Sequence, residues 1–295
     1  MRAEVEQAIQ ALQDNQPGAT EQALALLQQT VFSFSMKVCG QREDAEDTAQ
    51  ETLLRAISQL ASFSSSKALA VWLYKVAKTQ CLMSRRKSKF APPQHLSLEL
   101  LMPNPQELER LTAPSFAIPD KTLLRKEQTE QLHKAILKLP PDFRLILVLH
   151  DMEELSTKEV ASVTGLREGT VRVRLHRARV FLRNVLAGAG HSTHRTTKSR
   201  SHQRSHCKQL FRELSDYLDG ALDPSRCDAL ERHLPDCQPC KIFLSSLEHT
   251  VKELRRRQLP GLKDRPSRKM RTALFAEYRR AIQASAHAPR PGTPR

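Results

Sequence analysis

The stretch Leu155 to Arg183, LSTKEVASVTGLREGTVRVRLHRARVFLR, leaves the chain few choices. Ser156 followed three residues later by Glu159 is a capping-box pattern, in which two side chains satisfy orphan backbone donors at a helix start. Val160, Ala161 and Val163 give that helix an apolar face, and Gly165 supplies the left-handed residue that ends it and turns the chain. Val171, Leu175, Ala178 and Leu182 then recur at intervals of four, three and four, one buried stripe of a 3.6-residue period. Arg172, Arg174, His176, Arg177, Arg179 and Arg183 lie off the stripe and are expected to point away from it. Two helices around a tight turn, the second studded with guanidinium groups, suit phosphates and guanine edges in a DNA major groove. A solvated basic helix is the plainer alternative, and it leaves the cap, the glycine turn and the arginines unconnected.

Composition points the same way. The 295 residues suggest two or three domains. With 39% hydrophobic and 5% aromatic residues, the cores are small. Glycine is scarce and alternating β-branched runs are absent, so the predicted fold is all-α. A formal net charge of +15 favours a polyanion, nucleic acid before an anionic membrane. No apolar run approaches the roughly 18 residues of a membrane span, and MRAEVEQAIQ is too polar for a signal peptide, so the expected location is cytoplasmic with no membrane partner. Six cysteines, three of them unclustered at Cys39, Cys81 and Cys227, read as reduced thiols.

The motif Leu139-Pro140-Pro141, Leu155-Ser156, Glu159-Val160-Ala161, Gly169-Thr170-Val171-Arg172 and Arg174-Leu175-His176-Arg177-Ala178-Arg179 resembles the second DNA-binding domain of extracytoplasmic-function sigma factors. In that family the domain recognises the minus-35 promoter element. The resemblance implies that Arg167, Thr170, Arg172, Arg174, His176, Arg177 and Arg179 face promoter DNA.

Upstream, residues 3 to 14 and 20 to 39 have helical spacing, broken at Asn15-Gln16-Pro17-Gly18. In REDAEDTAQETLLRAISQL, Ala45, Ala49, Leu53, Ala56 and Leu60 line one face, while Asp44, Asp47 and Glu51 mark another. Such a face is either solvated or a docking surface for a basic partner. Lys67 to Lys89 forms a basic helix in which Leu69, Trp72, Leu73, Val76 and Met83 can pack inward. Trp72 and Tyr74 among its cations suit stacked bases of single-stranded nucleic acid, the alternative being a core position for Trp72. Asp44-Ala-Glu-Asp47, Gln50-Glu51-Thr52 and Trp72-Leu73-Tyr74 resemble the other domain of the same sigma family, whose acidic helix docks on core RNA polymerase and whose basic helix captures and melts the minus-10 element. The resemblance carries over Asp44, Asp47, Gln50 and Glu51 as polymerase-binding residues, and Lys75, Lys78, Thr79, Arg85 and Arg86 as DNA-binding ones. At Thr79 and Met83 the family commonly has asparagine and aspartate.

His233-x3-Cys237-x2-Cys240 is a third constellation. His233 and Cys237 share a helical face, and the CxxC separation lets two thiolates reach one metal. Cys207 best supplies a fourth ligand. A closed Cys3His set argues for structural or sensing zinc and against a zinc hydrolase; a chance pair of reduced thiols is the alternative. Cys207, Tyr217-Leu218-Asp219-Gly220, Leu222, Glu231, His233-Leu234 and Cys237-x-x-Cys240 resemble the zinc-binding anti-sigma domain, which clamps a sigma factor. The implied clamp would act within one chain.

The expected organisation is therefore a polymerase and minus-10 domain at 1–89, a proline-rich linker at 90–121, a helix-turn-helix domain at 122–187 and a flexible basic linker at 188–206. A zinc-binding anti-sigma-like domain at 207–257 and a basic tail at 258–295, with an amphipathic piece around Met270 to Ile282, complete it. His150 and Asp151 read as surface polar residues. No catalytic motif is present, so the chain is expected not to be an enzyme. The rivals are a helix-turn-helix regulator that never meets polymerase and a zinc- or redox-sensing protein.

Overall fold

A computed structural model describes residues 3–14, 17–86, 96, 101, 123–186, 201–256 and 265–286. Among these, every regular element is helical. Most of the predicted proline-rich linker and of the basic linker lies outside the described residues. The chain divides into two compact units, residues 1–90 with 261–295, and residues 91–260.

The first unit is built on α1 (Ala3–Gln13), α2 (Ala19–Cys39), α3 (Arg42–Ile57) and α4 (Ser66–Arg86). Gly40 ends α2 in the left-handed region at φ 81°, its N–H returning to the Met36 carbonyl, so α3 can start two residues later. On α3 the stripe Ala45, Ala49, Leu53 and Ala56 is fully buried, as its spacing predicts. Small residues let the α2 backbone approach closely, and Leu24, Leu27, Val31 and Phe34 of α2 fill the space between. Tyr74 of α4 is buried against Phe34 with ring centroids 4.6 Å apart. It therefore serves the core and is not an exposed base-stacking platform. Trp72 is half-buried beside Phe63.

The second unit begins its described helices with α5 (Leu123–Lys138) and α6 (Pro141–Leu147). Arg144 is buried and donates to the carbonyls of Leu137 and Leu139, satisfying the end of α5 from within the next helix. A wide π turn, Val148–Met152, follows. It places Asp151 at 0% exposure, which corrects its reading as a surface residue. Then come α7 (Thr157–Thr164) and α8 (Glu168–Leu186). Both halves of the capping box at Ser156 and Glu159 form, and Gly165 takes φ 76° at the turn. Val171, Leu175, Ala178 and Leu182 are all buried. Three more helices complete this unit: α9 (Ser201–Leu218), α10 (Pro224–His233) and α11 (Gln238–Arg256). Helix α9 starts six residues before Cys207, so the basic linker is shorter than its composition suggests. Leu96 and Leu101 are buried, and the Leu101 carbonyl accepts from Asn184, so parts of the proline-rich stretch pack down.

Replacing Ser156 by Ala removes one side of the capping box. The expected cost is about 1 kcal/mol of α7 stability, to be read as earlier loss of hydrogen-exchange protection in Thr157–Thr164. An unchanged exchange pattern would show that tertiary packing alone holds this helix start.

Candidate nucleic-acid interface and metal centre

Three groups of side chains stand out. On α3, Asp47 is exposed while Asp44, Gln50 and Glu51 are half-buried. Asp47, Thr48, Gln50, Glu51, Leu54 and Gln80 of α4 line an open cleft of about 350 Å³. Glu51 pairs with Arg55 at 2.9 Å, an exposed contact between neighbouring turns that contributes little. On α4, Lys75 and Thr79 are exposed and Lys78 is half-buried. The Thr79 hydroxyl donates to the Lys75 carbonyl. Arg85 and Arg86 belong to the last turn of α4, and their side chains lie outside what the structure describes.

Helix α8 is divided along its length. Arg167 and Thr170, at its start, are exposed; Arg172, Arg174 and Arg177 are half-buried. Arg174 lies over the Phe143 ring and 3.4 Å from Asp142. His176, Arg179 and Arg183 are buried, at 4%, 0% and 3% exposure. This corrects the expectation that all the basic residues off the apolar stripe point outward. The cover comes from α9 and α11. The Arg179 guanidinium donates to both carboxylate oxygens of Asp151, at 2.8 and 2.5 Å. It donates equally to both oxygens of Asp219, at 2.7 and 2.9 Å, at the end of α9. His150 lies 3.0 Å from Asp151, and Arg255 of α11 lies 3.3 Å from Asp219. Arg183 stacks on Phe243 of α11, 4.4 Å from the ring centre, and donates to Ser246.

Electrostatics follow from burial. Burial alone would lower the Arg179 pKa, yet Asp151 and Asp219 hold it well above the usual value. Burial alone would raise Asp151, and Arg179 outweighs that, keeping its carboxyl below the ordinary range. Since Arg179 occupies the centre of the His150, Asp151 and Asp219 group, this cluster is an ion-pair network and not a cation site. His176 has no compensating anion. Burial, then Arg179 and Arg177, pull its pKa down to about 3. Its Nδ1 meets the Ser215 hydroxyl at 2.9 Å, its ring packs edge-on against Phe211, and Nε2 is buried without a hydrogen-bond partner.

The third group joins Cys207 on α9, His233 at the end of α10, Cys237 just before α11 and Cys240 in its first turn. Their four donor atoms all lie within 4.8 Å of one another. His233 Nε2 sits 3.6 Å from the Cys207 sulfur and 3.3 Å from that of Cys240. A tetrahedral zinc with ordinary bond lengths requires sulfur-to-nitrogen edges of about 3.6 Å, so the donor set fits such an ion. Burial raises the Cys207 and Cys240 thiols. Cys227 is half-buried, its thiol near the Leu222 carbonyl, and stands outside the set.

Comparison with known proteins matches these groups to three family models: Sigma-70 region 2 over residues 24–90, Sigma-70 region 4 over 129–182, and a putative zinc-finger over 207–241. Two sigma-70 regions and a zinc-finger are thus matched in order along one chain. Its relatives include the ECF RNA polymerase sigma factor SigW of Bacillus subtilis, 29% identical over 156 residues, 53% of this chain and 82% of that one. YlaC of the same organism is 29% identical over 177 residues, covering 60% and 91%. SigE of Mycolicibacterium smegmatis is 31% identical over 158 residues, covering 53% and 57%. Among solved structures, the sigma factor RpoE of Bartonella quintana, crystallised with the anti-sigma factor NepR, shares 23% identity and a TM-score of 0.41, with 58% of this chain and 98% of that one covered. The region 2 match spans α2 to α4 and the region 4 match α5 to α8, and the zinc-finger segment packs on the second half of α8.

Sequence reasoning missed Asp151 and Asp219 as partners of Arg179. The YLDG motif contained the signal for Asp219, but nothing local in it names a guanidinium forty residues away.

Because the docked state favours neutral His176, its contribution is complete above the ordinary histidine pKa of about 6.5 and is lost as pH falls toward 3. Asp151 keeps its charge through this window, and Asp216, whose carboxyl burial raises, acts oppositely only nearer the carboxylate range. At pH 5.5 the packing of α9 on α8 should be weakened by about 1.4 kcal/mol, roughly tenfold. Hydrogen exchange across Ser201–Leu218 checks this: protection should drop between pH 7 and 5.5, after correction for intrinsic rates, and a His176→Gln chain should show no such drop.

Proposed function

We propose that this sigma factor directs promoter-specific initiation by bacterial RNA polymerase, and that its zinc-finger segment regulates it in cis by holding region 4. The observation that carries the second half is the Arg179 guanidinium, shared between Asp151 of region 4 and Asp219 of the segment.

Asp44, Asp47, Gln50 and Glu51 are the proposed polymerase-binding residues. Their acidic, partly exposed face and open cleft suit a basic partner. Lys75, Lys78, Thr79, Arg85 and Arg86 are proposed for the minus-10 element. Arg167, Thr170, Arg172 and Arg174 are proposed for the minus-35 element, since the start of α8 remains open to a groove. His176 and Arg179 could join a DNA interface only after α9 and α11 leave. Holding the segment on the same chain makes the encounter intramolecular, at an effective concentration of roughly millimolar for a flexible connection.

Zinc is the proposed metal. It would tie α9, α10 and α11 together through Cys207, His233, Cys237 and Cys240, and so fix the distance between Asp219, just past α9, and Phe243 on α11, the two sides of the grip. Such a closed set supplies structural cohesion and leaves no position for a reacting water.

The purified chain should hold one zinc per molecule by metal analysis. Cys240→Ser should lose it and Cys227→Ser should retain it; retention by both would reject the four-ligand assignment. Co-elution with core RNA polymerase tests the rest. A chain ending at Leu186 should bind. Asp47→Lys with Glu51→Lys should abolish that binding and leave duplex DNA binding intact, whereas loss of neither would favour a regulator that never enters the polymerase. Asp219→Ala, which leaves Arg179 its bidentate Asp151, should release the segment and raise promoter-directed transcription severalfold; equal transcription would remove the cis-regulatory half of the proposal.

A further inference from the structure

The tail of this chain forms one more helix, α12 (Arg268–Ala286), and it belongs to the first unit, packed on α3. Its seat is specific. Ser267 caps α12, its hydroxyl accepting from the Met270 N–H, and at the same time donates both its own N–H and its hydroxyl to the Glu46 carboxylate, at 3.1 and 2.8 Å. Arg42 pairs with Glu46 and donates to the Arg265 carbonyl at 2.9 Å. Behind these contacts Pro266 is buried, and Met270, Leu274 and Tyr278, spaced four residues apart, form the buried stripe of α12. Arg268, Lys269, Arg271, Arg279 and Arg280 are exposed.

The helix that receives it is the acidic one. Between Arg42 and Ile57, five carboxylates stand against two guanidiniums, whereas α12 holds five cations and one carboxylate. Glu46 sits in the middle of the run Glu43, Asp44, Glu46 and Asp47. By helical geometry the direction shared by Arg42 and Glu46 lies about 140° around α3 from that of Asp47 and Glu51, with Gln50 between the two. Helix α12 therefore leaves the cleft at Asp47 and Glu51 open. It brings five cations onto the unit that carries the acidic face, and their summed field, which salt screens, opposes the negative field that a basic partner would meet.

We propose that α12 is an intramolecular occupant of region 2 that lowers the affinity of the acidic helix for its polymerase partner. This rests on reading α3 as the polymerase-docking helix. The regulatory part of the chain then has two separate grips: α9 and α11 on region 4, and α12 on region 2. Release of one does not release the other, so full activity requires both to open.

The test compares three proteins for binding to core RNA polymerase by fluorescence anisotropy: the full chain, the full chain with Leu274→Asp, and a chain ending at Pro260. Hydrogen exchange verifies that Leu274→Asp frees residues 268–286. Both altered proteins should bind core polymerase at least fivefold more tightly at 0.05 M salt, with the gain shrinking at 0.5 M. A synthetic peptide of residues 261–295, added to the chain ending at Pro260, should reverse the gain. Affinity that is unchanged or lower once the helix is free overturns the proposal, the lower value making α12 part of the docking surface. A gain indifferent to salt overturns the charge-based account. If none of the three binds, the polymerase reading of α3 fails as well. If the chain ending at Leu186 binds but removal of the tail alone changes nothing, that reading stands and only this inference falls.

Discussion

A guanidinium buried to 0% exposure has to be paired, and in this chain the pairing comes from two directions. Arg179 meets Asp151 from the π turn of its own domain and Asp219 from the segment that covers it. Losing every partner would leave an isolated charge in an apolar setting, at a cost of several kcal/mol. Asp151 removes that risk, because it keeps Arg179 paired after Asp219 departs. Departure of the covering segment would therefore leave Arg179 with both oxygens of Asp151.

The Cys207, His233, Cys237 and Cys240 cluster lies in the same covering segment. The segment from Ser201 to Arg256 has a small core, in which Leu210, Phe211, Leu214, Leu230, Phe243, Leu247, Val251 and Leu254 are buried. Segments of this size commonly need a staple. The Cys207, His233, Cys237 and Cys240 cluster lies where α9, α10 and α11 converge, while the contacts with α8 are formed farther along by Ser215, Asp219, Phe243 and Ser246. Oxidation of the thiols, or loss of a metal held by them, would loosen the geometry of the grip without touching any residue that makes it.

How much could be read from the residues alone depends on the range of the interaction. The capping box at Ser156, the glycine turn at Gly165, the stripe from Val171 to Leu182 and the alanine row of α3 are set by neighbours within a few positions, and their local patterns reveal them. The Cys3His set was legible because ligand chemistry restricts both residue type and spacing. Tyr74, His176 and Arg179 were misread for one reason: each is polar or amphipathic by composition, and its burial is decided by a partner far along the chain. Asp151 shares that history, since the π turn that carries it inward has no distinct residue signature. The amphipathic tail was visible as a helix. Its seat on α3 was not, because Ser267 and Glu46 are more than two hundred positions apart.

The docking of α12 on α3 also has a meaning in time. Region 2 is made on the ribosome before the tail. About 170 residues separate them, which at 5 to 20 residues per second is roughly ten to thirty seconds of synthesis. During that interval the acidic helix can fold but has no tail to receive. A newly made molecule thus passes through a stage in which its first domain is bare, and the order of the chain itself decides which surface is available before the grips can form.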